Sequence, residues 1–417
     1  MTEPCHLSAV EARKLIGKKK LSPVELLDSC LEQIARTNPA VNAFVAMDTA
    51  RAKKAAKAAE AQVMDGDELG PIHGLPVGIK DLEATKGLRT TWGSPIFKDE
   101  IPKADTAAVA RVREAGGIVI GKTNVPEFGA GGNTTNPVYG PTKNPFDHKL
   151  TSSGSSGGSA VALALDMVPI ATGSDYGGSL RTPASFCGVV GIRPSPGVIG
   201  MSEKQAALIP WGVLGPMART VDDALLLLRA QMGFVRADPF SAGQTIKLDK
   251  LKTAELSKLR IAVTPDLGVA PVSNAVRAAF DARLKILKRA TKTLGKTQPD
   301  FSGVHEVFDV LRAVAMVTNQ QTNYRTKRDL LGPNVRHDYE VGLKLTAEEI
   351  GRAMLEQQKL VNRVNAFFDD WDVLVAPAAS VRPFPHGQLF VSEMDGRKLD
   401  TYMRWLSLTY ATTMALC

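Results

Sequence analysis

The sequence predicts an α/β fold, a single large domain with helices on both faces of a β-sheet. Three observations predict it. Short apolar runs suited to buried strands alternate with longer helical patterns that open on recognisable caps. Two Gly/Ser-rich turns lie at junctions between such elements. No internal repeat and no convincing linker interrupts the 417 residues, so 1–417 is read as one domain.

Taken in order, the first 65 residues read as a helical lead-in. Ser22-Pro23-Val24-Glu25 combines an N-cap, a proline at the first helical position and a capping-box glutamate. Leu26, Leu27, Cys30, Leu31 and Ile34 then share one face. Asp48 precedes an Ala/Lys-rich helix over 48–63. PIHGLPVGIKD, from Pro71, reads as a buried strand, 106–115 as a helix, and GGIVIGK from Gly116 as a turn and strand. Residues 129–158 are dominated by Gly, Ser, Thr, Asn and Pro, and so long a loop between apolar elements reads as functional. A helix over 159–166 and a strand over 167–173 follow. Further on, Thr220 caps a helix to about Met232, and 259–266 is a strand. Ser273 caps a helix to about Leu294, Thr346 caps one to about Asp370, and DVLVAP at 372–377 is a strand.

Composition excludes several classes. With 44% hydrophobic and 23% charged residues the chain is neither disordered, collagenous nor a coiled coil. No apolar run reaches the length of a membrane span, and the N-terminus lacks the apolar region of a signal peptide. Cys5, Cys30, Cys187 and Cys417 form no C-x-x-C pair, and scattered thiols fit a reducing cytoplasm. No two of the six histidines have metal-binding helix spacing, so no metal is expected. The net charge of +8 raises nucleic acid as a partner. The basic residues between Lys247 and Lys296 have helical spacing without interleaved aromatics, which reads as a solvated helix face.

The chemistry lies in two loops. Ser152 to Ser159 reads SSGSSGGS, and Gly173 to Arg181 reads GSDYGGSLR. Glycine admits positive φ and close approach, and serine both donates and accepts. Either loop alone is ordinarily a turn. Neither carries the lysine of a phosphate-binding loop. Residues 154–158 formally match G-x-S-x-G with Ser156 as nucleophile, but His305, His337 and His386 lie in undistinguished contexts. Lys80, in the apolar run LPVGIKD, changes the weighting. A lysine in an apolar run ordinarily snorkels to the surface, but burial would lower its pKa and make it a general base beside the two serine-rich turns.

GLPVGIKD, GKTNVPEF, SSGSSGGSAVALA, PIATGSDYGGSLRTPASFCGVVGIRPSPG and GPMARTVDDA occur in that order, and together they resemble the blocks of the amidase signature family. The resemblance covers a core over 66–230. Residues 8–45 are similar to the family's helical lead-in, and 231–417 would hold a variable substrate-covering region and the remaining core. It implies a mixed, twisted central sheet covered by helices on both faces. It also implies a Ser–cis-Ser–Lys triad of Ser179 as nucleophile, Ser155 as bridge and Lys80 as base, the serines lying 24 residues apart. Backbone N–H groups of Tyr176, Gly177, Gly178 and Ser179 would form the oxyanion hole, and Asp175 with Arg181 would brace that turn. Gly129 and Gly131 would line the acyl pocket, with Ser156 hydrogen-bonding around the triad at the substrate-binding site.

The implied activity is hydrolysis of a small neutral carboxylic amide, aryl or alkyl, through a serine acyl-enzyme, with no cofactor and no metal. The partner would be a small-molecule amide, not nucleic acid or membrane, and a homodimer is compatible. Thr182 stands where one family variant uses an arginine to clamp a carboxylate, which favours a neutral amide. SDYGGSLR also resembles members acting on indoleacetamide and related arylacetamides. The rival readings are the A subunit of a glutamyl-tRNA amidotransferase, which releases ammonia from glutamine, and an inactive truncated homologue. Ser153 replaces the first glycine of the family's GGSSGG block. TYATTMALC is similar to the start of a segment that continues in the family, so the chain is expected to stop short of the family's usual end.

Overall fold

Apolar runs of four to six residues, too short for helices and flanked by turn formers, assemble the main sheet of this computed structural model, which describes residues 3–417 except 243–245, 249, 250 and 252. Three helices, α1 (Ala9–Gly17), α2 (Pro23–Val41) and α3 (Thr49–Asp65), open the chain. Ser22 and Glu25 close the expected capping box on α2, and Leu26, Leu27, Cys30 and Ile34 are buried along its inner face. One part of the helical reading is corrected. Phe44–Met47 is a strand, β1, released from α2 by the left-handed Asn42 and stopped by Asp48, which caps α3.

The core then alternates. Strand β2 (Pro76–Lys80) is followed by α4 (Ala107–Glu114), β3 (Ile118–Thr123), α5 (Gly157–Ala164) and β4 (Ile170–Asp175). Next come α6 (Arg181–Cys187), β5 (Val190–Gly191), β6 (Val213–Ala218) and α7 (Val221–Gln231). The six strands lie in the order β1-β3-β2-β4-β6-β5. The sheet is mixed: β2 runs parallel to β3 and β4, whereas β1 and β6 join their neighbours antiparallel. All five residues of β2 are buried, which explains why it reads as a continuous apolar run rather than an alternation.

Residues beyond 240 add a second sheet. Strands β7 (Arg260–Val263), β8 (Thr293–Lys296) and β9 (Val373–Val375) pair in parallel in the order β8-β7-β9. Between them run α8 (Asn274–Ala290), α9 (Val304–Lys327), α10 (Pro333–Gly342) and α11 (Ala347–Asp370). The helix capped by Ser273 therefore ends earlier than its sequence suggests, because Thr293–Lys296 pairs with β7 instead. The chain closes with the hairpin of β10 (Glu393–Met394) and β11 (Arg397–Lys398), then α12 (Ser407–Met414). Of the basic stretch read as a helix face, the α8 part has no buried residue. Before it, Leu256–Lys258 forms a short 3-10 turn, and Asp249, Lys250 and Lys252 lie outside the described residues.

Apart from Pro137 and residues 146–149, which are exposed, the long loop up to α5 is buried or half-buried, and its polar side chains supply the hydrogen bonds that a buried irregular backbone needs. Asn133 Nδ2 donates to the carbonyls of His386 and Gln388, and Asn144 Nδ2 to those of Thr151 and Phe186. Helix α5 is fully buried from Gly157 to Leu163. Leu163→Ala is accordingly expected to cost about 2–5 kcal/mol in chemical denaturation; a loss under ~1 kcal/mol would mean that this helix is not core.

Candidate active site

The parallel trio β3-β2-β4 brings two separate loops to the carboxyl end of β2. Lys80 is the last residue of β2 and has no solvent exposure. Its Nζ lies 2.8 Å from Ser155 Oγ, 2.7 Å from Ser156 Oγ, 2.9 Å from Ser174 Oγ and 3.2 Å from the Ser174 carbonyl. Ser155 and Ser156 come from the turn leading into α5, and Ser174 from the end of β4. The Gly154–Ser155 peptide is cis. Burial lowers the Lys80 pKa to about 7, against the pull of Asp175 and Glu83.

Ser179 stands half-buried on the turn between β4 and α6. Its carbonyl accepts the Ser156 N–H at 3.2 Å, which ties the two loops together. Ser155 and Ser179 line one cavity of about 280 Å³, together with Gly129, Ser174, Glu203 and Gln320. Ser179 also lines a second cavity of about 140 Å³, whose walls include Gly129, Ala130, Gly131, Ala315, Met316 and Met403.

The turn carrying Ser179 is braced by charge. Asp175 receives Arg181 Nη2 at 2.8 Å and Nε at 3.0 Å, and Arg193 Nη1 lies 3.5 Å from the same carboxylate. Burial pushes the Asp175 carboxyl up, but the two guanidiniums outweigh it and hold the group well below the usual carboxylate range. Arg181 also donates to the Thr409 carbonyl and to the Thr412 and Thr413 hydroxyls, so α12 supports the turn from behind. Thr409 Oγ1 donates to the Gly177 carbonyl at 2.6 Å. Gly178 has φ +124°, and a Cβ there would sit 2.2 Å from Thr409 Oγ1, so only glycine fits.

Two expectations are corrected. The Gly178 N–H donates to Asp175 Oδ1 at 2.9 Å and is not available to an oxyanion, because the carboxylate caps this turn as it would a helix. Ser156, expected among the substrate-binding residues, is fully buried. Its hydroxyl meets Lys80 and Ser174, and it supports the amine rather than facing a substrate. The hydrolase-elbow alternative finds no histidine at the site: none of His305, His337 and His386 lines either cavity at Ser179, and His305 bonds the Val269 carbonyl and the Tyr410 hydroxyl instead. Sequence reasoning does not single out Ser174, Arg193, Thr409 or Glu83; Ser174 lies within the second Gly/Ser turn, and the others are set by tertiary contact. Among the described residues, the only carboxylate, thiol and imidazole group close enough to share an ion is Glu3, Cys5 and His6. His6 bonds Asp166, just beyond the end of α5 opposite Ser156.

Comparison with known proteins places the chain in a family. A family model described as Amidase matches residues 25–417, and the chain belongs to that family, the amidase signature enzymes. It is an amidase, a hydrolase of carbon–nitrogen bonds in linear amides. An acylamidase of Rhodococcus erythropolis is 34% identical over 98% of this chain and 86% of its own length. The A subunit of a glutamyl-tRNA(Gln) amidotransferase from Roseiflexus castenholzii is 38% identical over 69% of this chain and 59% of its own length. The crystal structure of a bacterial aryl acylamidase superposes with a TM-score of 0.91 at 26% identity, covering 98% of this chain and 87% of that one. No helix among the described residues is long and apolar enough to cross a membrane.

The ion-pair brace generates a prediction. Asp175→Asn leaves two largely buried guanidiniums without their anion, and about 3–5 kcal/mol of stability is expected to be lost at pH 7. The Asp175 pKa is depressed in the fold, so its contribution is complete above the unfolded carboxylate value of about 4 and disappears as pH falls below it. Urea denaturation of both proteins from pH 3 to 8 should show the gap narrowing only at the acid end.

Proposed function

We propose that this amidase hydrolyses small neutral carboxylic amides, aryl or alkyl, with Ser179 as nucleophile, Ser155 as proton bridge and Lys80 as base. The observation that carries the reading is a fully buried Lys80 amine 2.8 Å from the hydroxyl of Ser155, a residue that lines one cavity together with Ser179. A neutral amine has two N–H donors and one lone pair. With the Ser174 carbonyl able only to accept, one neighbouring hydroxyl must donate to that lone pair, and a donating Ser155 is set up to pass its proton on.

In this mechanism Ser179 gives its proton to Ser155 as Ser155 gives its own to Lys80. Ser179 Oγ then bonds the carbonyl carbon. The N–H groups of Tyr176, Gly177 and Ser179 are the ones open to the developing oxyanion. The proton returns through Ser155 to the amide nitrogen, the C–N bond breaks, and water cleaves the resulting ester.

The cavity supports a neutral acyl group. Phe128, Ala130, Ala315, Met316, Met403 and Leu406 give it a largely apolar wall, beside the amide of Asn319. Arg312, the single cation among the described residues lining it, is committed to Asp338 at 2.5 Å and to the Tyr402 hydroxyl at 2.7 Å. A glutamine substrate would need a free counter-charge for its carboxylate there. The similarity to amidotransferase A subunits keeps glutaminase as the second reading. The aryl acylamidase neighbour supports the first.

With 4-nitroacetanilide, Ser179→Ala and Lys80→Ala are each expected to lower kcat/KM by at least about 10⁴-fold. Activity should fall as pH drops below about 7, because Lys80 then gains a proton and stops acting as a base. Ammonia release from glutamine at a kcat/KM equal to or above that for the anilide would sink the neutral-amide reading.

A further inference from the structure

One buried titratable side chain beside the site has no part in this mechanism. Glu83 follows Lys80 by three residues and folds back under the end of β2, its N–H donating to the Lys80 carbonyl at 3.0 Å. It is 1% exposed. Oε1 accepts from the Thr172 hydroxyl, and that same hydroxyl accepts the Lys80 backbone N–H at 3.0 Å. Oε2 is buried with no hydrogen-bond partner.

Two buried amines are within electrostatic range, yet neither is committed to this carboxyl. Lys80 Nζ is spent on the serines. Lys122 Nζ, from β3, donates to the Glu83 backbone carbonyl and to Thr85 Oγ1. A bare, dry carboxylate oxygen is costly, and protonation relieves it.

We propose that Glu83 is a positioning residue for the reaction, a buried carboxyl tied through Thr172 to the base of Lys80 whose ionisation sets the pH at which the Lys80 amine loses its proton. The inference rests on Lys80 acting as the base. Burial pushes the Glu83 carboxyl up, and the Thr172 hydrogen bond, Lys122 and Lys80 pull it down, while Glu203 pushes it up. Lys122 in turn faces Asp81, Asp105 and Arg113. The sign follows from Coulomb attraction: ionised Glu83 favours charged Lys80 and delays its deprotonation, whereas neutral Glu83 releases it.

The experiment is the pH profile of kcat/KM for 4-nitroacetanilide in wild type, Glu83→Gln and Thr172→Val. Glutamine keeps an acceptor for Thr172 and removes the charge. The acid limb of Glu83→Gln is expected to move to lower pH by about half to one unit, a roughly 3- to 10-fold gain on the limb relative to the plateau. Thr172→Val removes the bond that favours ionised Glu83, so its limb moves the same way by less. A limb unmoved or displaced to higher pH in folded Glu83→Gln overturns the proposal. If that variant does not fold, Thr172→Val decides by the same criterion. Lys80→Ala serves as the separating control. If it is inactive while the limb stays fixed, only the role of Glu83 fails; if it is active, the base assignment and this inference fail together.

Discussion

A primary amine without solvent can remain at the centre of a sheet only if it is paired with an anion or its charge is negotiable, and Lys80 has no anion in contact among the described residues. Lys80 meets that condition by surrounding its nitrogen with groups that serve either protonation state. Three serine hydroxyls can accept from an ammonium, and by simple rotation one of them can donate to the single lone pair of a free amine. A carboxylate in contact would have fixed the charge and raised the pKa. Instead Asp175, the anion that acts most strongly on Lys80, is satisfied by Arg181 and Arg193 and makes no direct bond to the amine. The rest of the fold can be understood as the means of holding hydroxyls, and not ions, around this nitrogen.

That requirement explains the division between the two loops. The turn before α5 supplies Ser155 and Ser156 to the amine. The turn before α6 holds Ser179 and is built around a permanent ion pair, so its N–H groups keep fixed directions. Asp175 takes the N–H groups of Gly178 and Leu180 for this purpose. Helix α12 completes the brace through Thr409, Thr412 and Thr413, more than 220 residues away in sequence.

The legibility of the sequence follows the range of the interactions. Caps such as Ser22 and Thr346 are local and readable, as is the buried run of β2. Lys80, Ser155 and Ser179 are marked as candidates through the resemblance of their sequence blocks to those of the amidase signature family. The engagement of Gly178 is also within reach of the sequence, since Asp175 precedes it by three residues as an N-cap precedes its N3. Strand β1 is not, because four apolar residues next to a helix carry no period of their own. The burial positions of α9, Val304, Val307, Phe308 and Leu311, do repeat at helical spacing and are enough to mark it. The Lys80–Ser174 contact has no local signal, because it depends on β4 lying parallel beside β2.

The two cavities that meet at Ser179 differ in what they can tolerate, and this follows from the same electrostatic logic. On the Met316 and Met403 side, the cation Arg312 is paired with Asp338 and hydrogen-bonded to the Tyr402 hydroxyl, so among the described residues lining this cavity no cation is left unpaired. On the other side the wall holds Ser155, Ser174 and the carboxylate Glu203. A free cation on the first side would pair with a carboxylate in the substrate. An additional fixed anion against Lys80 on the second would hold the amine protonated. Neutral-amide hydrolysis by a lysine base therefore needs both conditions at once: charges paired off where the acyl group sits, and hydroxyls rather than ions where the proton moves.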